Sequence, residues 1–113
     1  MDDILHYKLP LQGDPEEAIF ALEEIVTSFI KKEKTVQFYI GQTIDLDDVK
    51  KSHCCDAVVN LYSSRNASSV RHLEFELMKK FYRHSKNRDR KAESGEEISL
   101  DSMNHLYLAL WFK

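Results

Sequence analysis

One predicted helix carries a carboxylate where an apolar side chain is expected. At about 100° per residue, the apolar side chains of this helix fall on one arc, which is formed by Val70, Leu73, Leu77, Met78 and Phe81. Glu74 falls near the middle of that arc. A carboxylate facing a core is costly unless it is paired, hydrogen-bonded or bound to a metal. Two interpretations of Glu74 therefore stay open: an ion pair or cap at the rim of the core, and a metal-ligand or catalytic role.

Two further groups of residues could do chemistry. Residues 79–91 hold seven basic side chains against a single acid, Asp89. Such a run is ordinarily a solvated face, and it would also suit a phosphate backbone. Cys54 and Cys55 are adjacent between His53 and Asp56, but consecutive side chains diverge along a regular backbone and do not converge on one ion. We predict reduced thiols, which is typical of an intracellular protein, cytoplasmic or nuclear.

Composition and missing motifs exclude several classes of function. The chain has 113 residues, 42% of them hydrophobic, and a formal net charge of −3, which is typical of one globular domain and excludes a uniformly basic surface. No apolar run approaches the roughly 20 residues that span a bilayer, so we expect no membrane insertion. The GxxxxGK[ST], GxGxxG, HExxH and GxSxG motifs are missing from the sequence, which removes the simple cases of nucleotide hydrolysis, dinucleotide redox chemistry, zinc proteolysis and serine hydrolysis.

Three helices alternate with three strands in the predicted fold. Apolar periodicity and turn residues predict helices at 15–32, 45–53 and 69–82, and strands at 35–40, 57–62 and 105–112. Asp14 and Asp45 are expected to cap the first two helices, and Ser68 or Ser69 the third. The last strand is apolar on both faces, which is typical of a central strand. Residues 84–97 are predicted to form a solvated loop, and the first dozen residues an edge strand or an ordered arm.

Residues 38–46, FYIGQTIDL, resemble the second half of the GIY-YIG nuclease motif. In that family a strand ends in Tyr-Ile-Gly, and a short helix then opens with Asp, Asn or Pro. Here Tyr39 begins the tripeptide and Asp45 opens the helix. A strand and a long helix follow as the family requires. The family's metal-binding glutamate lies on that helix and corresponds to Glu74, the residue that the helical wheel also singles out.

The family's Gly-Ile-Tyr strand is missing upstream of Tyr39, where the first helix lies instead. Leu106 and Tyr107 in the last strand resemble its Ile-Tyr. A permuted arrangement, in which the C-terminal strand replaces the missing one, would bring Tyr107 beside Tyr39. The resemblance therefore implies one domain over residues 1–113 of the α/β (α+β) class, with a small, mostly antiparallel three-stranded sheet flanked by three helices.

The resemblance also implies a chemistry, metal-dependent hydrolysis of nucleic-acid phosphodiesters. Glu74 would hold one Mg²⁺ or Mn²⁺ ion, Tyr107 would help to activate a water, and Tyr39 would orient the phosphate. The nucleic-acid backbone would be held by basic side chains of the second and third helices and the segment after them, namely Lys50, Lys51, Lys79, Lys80 and Arg83.

One departure from the family pattern bears directly on activity. Val49 occupies the position of the arginine that contacts the scissile phosphate in the family, and the nearby lysines lack the bidentate fork of arginine. The family's late asparagine corresponds to Asn87 or Asn104, and the sequence does not choose between them. Three interpretations stay open: an endonuclease with a degraded site, an inactive module that binds nucleic acid or protein, and a plain structural domain. The sequence makes no prediction of oligomeric state.

Overall fold

The computed structural model describes residues 11–87 and 103–113. The helices are α1 (Pro15–Ile30), α2 (Leu46–His53) and α3 (Ala67–Phe81), and the strands are β1 (Thr35–Thr43), β2 (Ala57–Ser64) and β3 (Asn104–Phe112). This α+β architecture confirms the predicted class and the predicted order of elements. Most of the predicted N-terminal arm and of the 84–97 loop lies outside the described residues.

The last strand is central, as its two apolar faces predict. The sheet has the order β1-β3-β2, and β3 pairs antiparallel with both neighbours. In the β1–β3 register, Tyr39 lies opposite Ala109 and Gly41 opposite Tyr107. The two tyrosines are therefore diagonal neighbours on one face of adjacent strands.

One face of the sheet carries the larger core. Alternate residues of a strand point to opposite faces, and Phe38, Ile40 and Leu108 project towards α1 and α3. Leu22 and Val26 of α1 and Leu73 and Leu77 of α3 meet them and are fully buried. Burial of this kind stabilises the fold by about 1.5–3 kcal/mol for each large side chain.

The other face is covered by α2. Here a smaller buried cluster consists of Tyr39, Val49, Cys55, Tyr107 and Ala109, with Leu46, Val58 and Trp111 packed around it. Burial raises the pKa of the Cys55 thiol, so this cysteine stays protonated and packs as a small apolar side chain. The candidate site lies on this face.

Helix caps account for where the helices begin. Asp14 accepts a hydrogen bond from the Glu16 amide at 3.0 Å, and Asp45 accepts one from the Asp48 amide at 3.2 Å, which confirms both predicted caps. The predicted cap of the third helix is wrong, because Asn66 caps it instead and accepts from the amides of Ser68 and Ser69. Asparagine caps as well as serine does, so the helix begins at Ala67.

A search of the described residues finds no helix with the length and apolar character that crossing a bilayer requires.

Candidate functional site

Tyr39 and Tyr107 lie side by side over the face of the sheet that α2 covers. Their ring centroids are 6.1 Å apart, with an angle of 42° between the ring planes. Gly41, opposite Tyr107, makes room for this arrangement. A Cβ atom at Gly41 would lie 2.6 Å from the Tyr107 phenol oxygen and 2.8 Å from Cε2 of Tyr39, closer than carbon atoms pack. The glycine of the YIG tripeptide is thus required here by the two rings above it.

His53, the last residue of α2, contacts both tyrosines. Its Nε2 atom lies 3.1 Å from the phenol oxygen of Tyr107. Its ring stacks on Tyr39, with centroids 4.9 Å apart and planes tilted by 34°, and meets the edge of Trp111 at 6.3 Å. The predicted site omits His53. Its place four residues after Val49, on the same side of α2, is the signal that could have revealed it.

The tyrosine pair is closed off from solvent. Tyr39 is 5% exposed and Tyr107 is 3% exposed. Val49, at the position of the family's arginine, is itself only 5% exposed and belongs to the same cluster. An apolar side chain therefore fills the space between α2 and the two tyrosines. Both phenols lie beneath α2, so a substrate would have to displace buried side chains to reach them.

Glu74 lies on the other side of the sheet from the tyrosine pair. It is half-buried on α3, the helix whose Leu73 and Leu77 belong to the core cluster shared with α1. Within residues 11–87 and 103–113, no three His, Cys, Asp or Glu side chains are grouped so that they could hold a metal ion. A site built from one carboxylate and several waters would need no such group. The metal-binding role of Glu74 stays a prediction.

The predicted nucleic-acid-binding residues are divided between two surfaces. Lys50 and Lys51 are exposed on α2, and Lys79 and Lys80 are exposed on α3, across the sheet. The two α3 lysines have acidic partners: Lys79 Nζ lies 3.5 Å from Glu76, and Lys80 Nζ lies 3.8 Å from Glu23. Arg83 is exposed just after α3. These side chains therefore do not form one continuous positive face.

A polar network lies beside the tyrosine pair on the same face. Nδ1 of His105 lies 2.8 Å from the Ser63 hydroxyl and 3.3 Å from Nδ2 of Asn60. Nδ1 accepts a hydrogen bond from the Asn60 amide, which requires an unprotonated Nδ1. Burial lowers the pKa of His105 and favours the same state.

Both candidates for the family's late asparagine are buried and hydrogen-bonded. Oδ1 of Asn104 accepts from Nε2 of Gln42 at 3.4 Å. Nδ2 of Asn87 donates to the carbonyl oxygen of Phe81, the last residue of α3, at 3.2 Å. The correspondence of either to the family's asparagine stays a prediction.

Comparison with known proteins finds no protein-family model, no curated protein and no solved structure that matches this chain. The resemblance to GIY-YIG nucleases therefore depends on residues 38–46, Glu74 and the order of the elements. The strand with Leu106 and Tyr107 is central and adjoins the strand with Tyr39, and the resemblance itself stays a prediction.

Proposed function

We propose that this chain is a GIY-YIG-like domain that has lost hydrolysis and serves as a binding module for a protein. The observation that carries the proposal is the burial of the Val49 side chain, which projects from α2 onto the tyrosine pair. In the family, this position supplies the charge that stabilises a phosphate in the transition state. Removing such a group ordinarily lowers the rate by about two to three orders of magnitude.

The burial of both phenols supports the same conclusion. A group that orients a phosphate or relays a proton must come within hydrogen-bond reach of its substrate. Tyr39 and Tyr107 instead pack against Val49 and Ala109, and the Tyr107 hydroxyl already has a partner in His53. The tyrosine pair is thus part of the core beneath α2.

The distribution of charge favours a protein partner over nucleic acid. The net charge is −3, and the two lysines of α3 lie beside Glu76 and Glu23. Lys50 and Lys51 follow Asp47 and Asp48 on the same short helix. Nucleic-acid binding draws most of its affinity from unopposed cations facing phosphates, and these helices offer mixed charge instead.

Phosphodiester hydrolysis is the second candidate, and one observation favours it. The hydrogen bond between His53 and Tyr107, at 3.1 Å, places an imidazole where it could take the phenol proton. If a substrate displaced Val49 while His53 kept this contact, Tyr107 could then activate a water, with Mg²⁺ or Mn²⁺ at Glu74. This chemistry requires that Glu74 act together with residues on the opposite face.

A plasmid-nicking assay distinguishes the two candidates. Wild-type protein is compared with Glu74→Gln and with the matched control Glu76→Gln, in Mg²⁺ and in Mn²⁺. We expect the same background nicking from all three proteins. Nicking that Glu74→Gln abolishes and Glu76→Gln retains would establish hydrolysis and overturn the proposal.

A binding assay tests the choice of partner. Fluorescein-labelled single- and double-stranded DNA and RNA are titrated with wild-type protein at several salt concentrations. We expect no saturable, salt-sensitive binding. Binding that the double variant Lys50→Glu, Lys51→Glu abolishes would instead assign the module to nucleic acid.

A further inference from the structure

Strand β2 forms one edge of the sheet, and part of that edge already accepts an extended chain. The amide of Leu11 donates to the carbonyl oxygen of Leu61 at 2.9 Å, and the amide of Ser63 donates to the carbonyl oxygen of Leu11 at 3.1 Å. These two bonds form a parallel bridge between Leu11 and Tyr62. Within the described ranges, β2 has no other strand partner on this side.

The direction of the backbone groups can be followed along this edge. Asp56 donates its amide inward, to the carbonyl oxygen of Leu110 in β3, at 2.9 Å. Leu110 of β3 thus faces β2, and every second residue of a strand faces the same side, so the β3 residue that pairs with Val59 also faces β2. The N–H and C=O groups of Val58 and Asn60 therefore point outward.

An apolar groove lies alongside this stretch of β2. Its volume is about 410 Å³, and its apolar lining includes Phe29, Val59, Leu110 and Phe112. Ala57, Val58, Val59 and Asn60 are all half-buried, so the edge is neither covered by the core nor fully in solvent. A chain lying on β2 could insert alternate side chains into this groove.

Positive charge lines the rim of the groove. Lys32 and Lys34 both line it, and the Lys34 ammonium lies 4.7 Å from the ring centroid of Phe112. The Lys86 ammonium lies 3.2 Å from the carbonyl oxygen of Lys32 and adds to the charge at this end of α1. An acidic side chain at one end of an extended ligand would be attracted to this rim.

We propose that the outer edge of β2 binds an extended peptide of a partner protein, with apolar side chains at alternate positions and an acidic end. Strand addition of this kind takes its affinity from main-chain hydrogen bonds and its specificity from pockets for alternate side chains. Here Val58 and Asn60 supply the outward main-chain groups, the groove receives the apolar side chains, and Lys34 receives the acid. The inference deepens the proposed protein-binding function and depends on it.

A fluorescence-polarisation titration with a synthetic peptide tests this proposal on the full chain. The probe is a short fluorescein-labelled peptide in which valine alternates with threonine and which ends in two aspartates. A second probe ends in two lysines instead. We expect saturable binding of the acidic probe and at least roughly ten-fold weaker binding of the basic one, because like charges at the rim repel.

Three variants locate the binding site. Val58→Pro removes an outward N–H, a change that an edge strand tolerates, and should abolish binding while the circular dichroism spectrum is kept. Lys34→Glu should weaken binding of the acidic probe roughly ten-fold or more, and it keeps the test valid if Val58→Pro does not fold. Lys31→Glu is the matched control, because Lys31 is exposed on the same turn but lies outside the groove, and it should bind like wild type.

Failure of this inference is distinguishable from failure of the proposed function. If wild-type protein binds both probes equally, the edge-binding inference is overturned. It is also overturned if neither probe binds, which is the result expected if the chain's own residues cover the groove. Binding that survives both Val58→Pro and Lys34→Glu overturns it as well. None of these results bears on the plasmid-nicking assay, which alone decides whether the domain has lost hydrolysis.

Discussion

Nε2 of His53 lies 3.1 Å from the phenol oxygen of Tyr107, and this contact joins the end of α2 to the central strand. The helix stops at this point because Cys54 takes a left-handed conformation, with a φ of 53°, and donates its amide to the carbonyl oxygen of Lys50. The residue that ends α2, Cys54, therefore directly follows His53, the residue that covers the tyrosine pair.

Tyr107→Phe should destabilise the domain by about 1 kcal/mol, because it keeps the ring and removes one part-buried hydrogen bond. His53→Ala should cost more, since it also removes the stacking on Tyr39. Urea unfolding of both single variants and the double variant measures their coupling. Tyr82→Phe, at an exposed tyrosine, is the control and should match wild type. Additive effects of the two changes would contradict the contact.

Gly41→Ala should destabilise the fold by about 1–3 kcal/mol, because the new Cβ atom would displace the rings of Tyr39 and Tyr107. We also expect a changed near-ultraviolet circular dichroism signal from these rings. Gly13→Ala is the contrasting variant. Gly13 has a φ of +100° with no atom within 4 Å of the added Cβ, so its cost comes from the backbone and the tyrosine signal should stay. An unchanged signal in Gly41→Ala would show that the rings do not depend on this glycine.

Val49→Arg should destabilise the domain by roughly 3 kcal/mol or more, because it places a charge in a buried apolar position. Lys50→Arg, on the exposed side of the same helix, should change the free energy of unfolding by less than about 0.5 kcal/mol. Thermal unfolding of the two variants measures the difference. A Val49→Arg protein that is as stable as wild type and nicks plasmid would mean that the phosphate position remains open.

Acid should destabilise the domain through His105. Burial holds the pKa of this residue below its ordinary value of about 6.5, so the unfolded chain binds more protons than the folded one between the two values. Stability is then fully present above about pH 6.5 and is lost as the pH falls through this window towards the folded pKa. Protonation of Nδ1 would also end its role as acceptor for Asn60. Urea unfolding at several pH values should show a smaller acid loss in His105→Gln than in wild type, and equal losses would contradict this account.

Two helix caps and the central position of β3 were predictable from sequence. Asp14 and Asp45 cap their helices because a short side chain with an acceptor stands just before a helical pattern. The two apolar faces of β3 indicated a central strand, and only that position covers both faces. Asn66 was missed as a cap because two serines with the same capability follow it closely.

The closure of the site was not predictable in this way. Whether Val49 and His53 pack over Tyr39 and Tyr107 depends on how α2 lies across the sheet, which is set by contacts distant in sequence. The apolar arc indicated that α3 buries Leu73 and Leu77, but it could not indicate which face of the sheet α3 covers. Glu74 therefore looked compatible with a site whose tyrosines lie on the opposite face.

The position of β3 also constrains how the chain folds. Strands β1 and β2 pair with β3 and not with each other, although β3 comes last of the three in the chain. Among the strands that the structure describes, neither edge strand has a neighbour until Asn104–Phe112 has been synthesised, so both expose unpaired backbone until then. Both described strand pairs join β3 to a strand much earlier in the sequence, which slows folding relative to local hairpins. The sheet therefore assembles late in folding, when the central strand β3 pairs with the two strands that precede it in the chain.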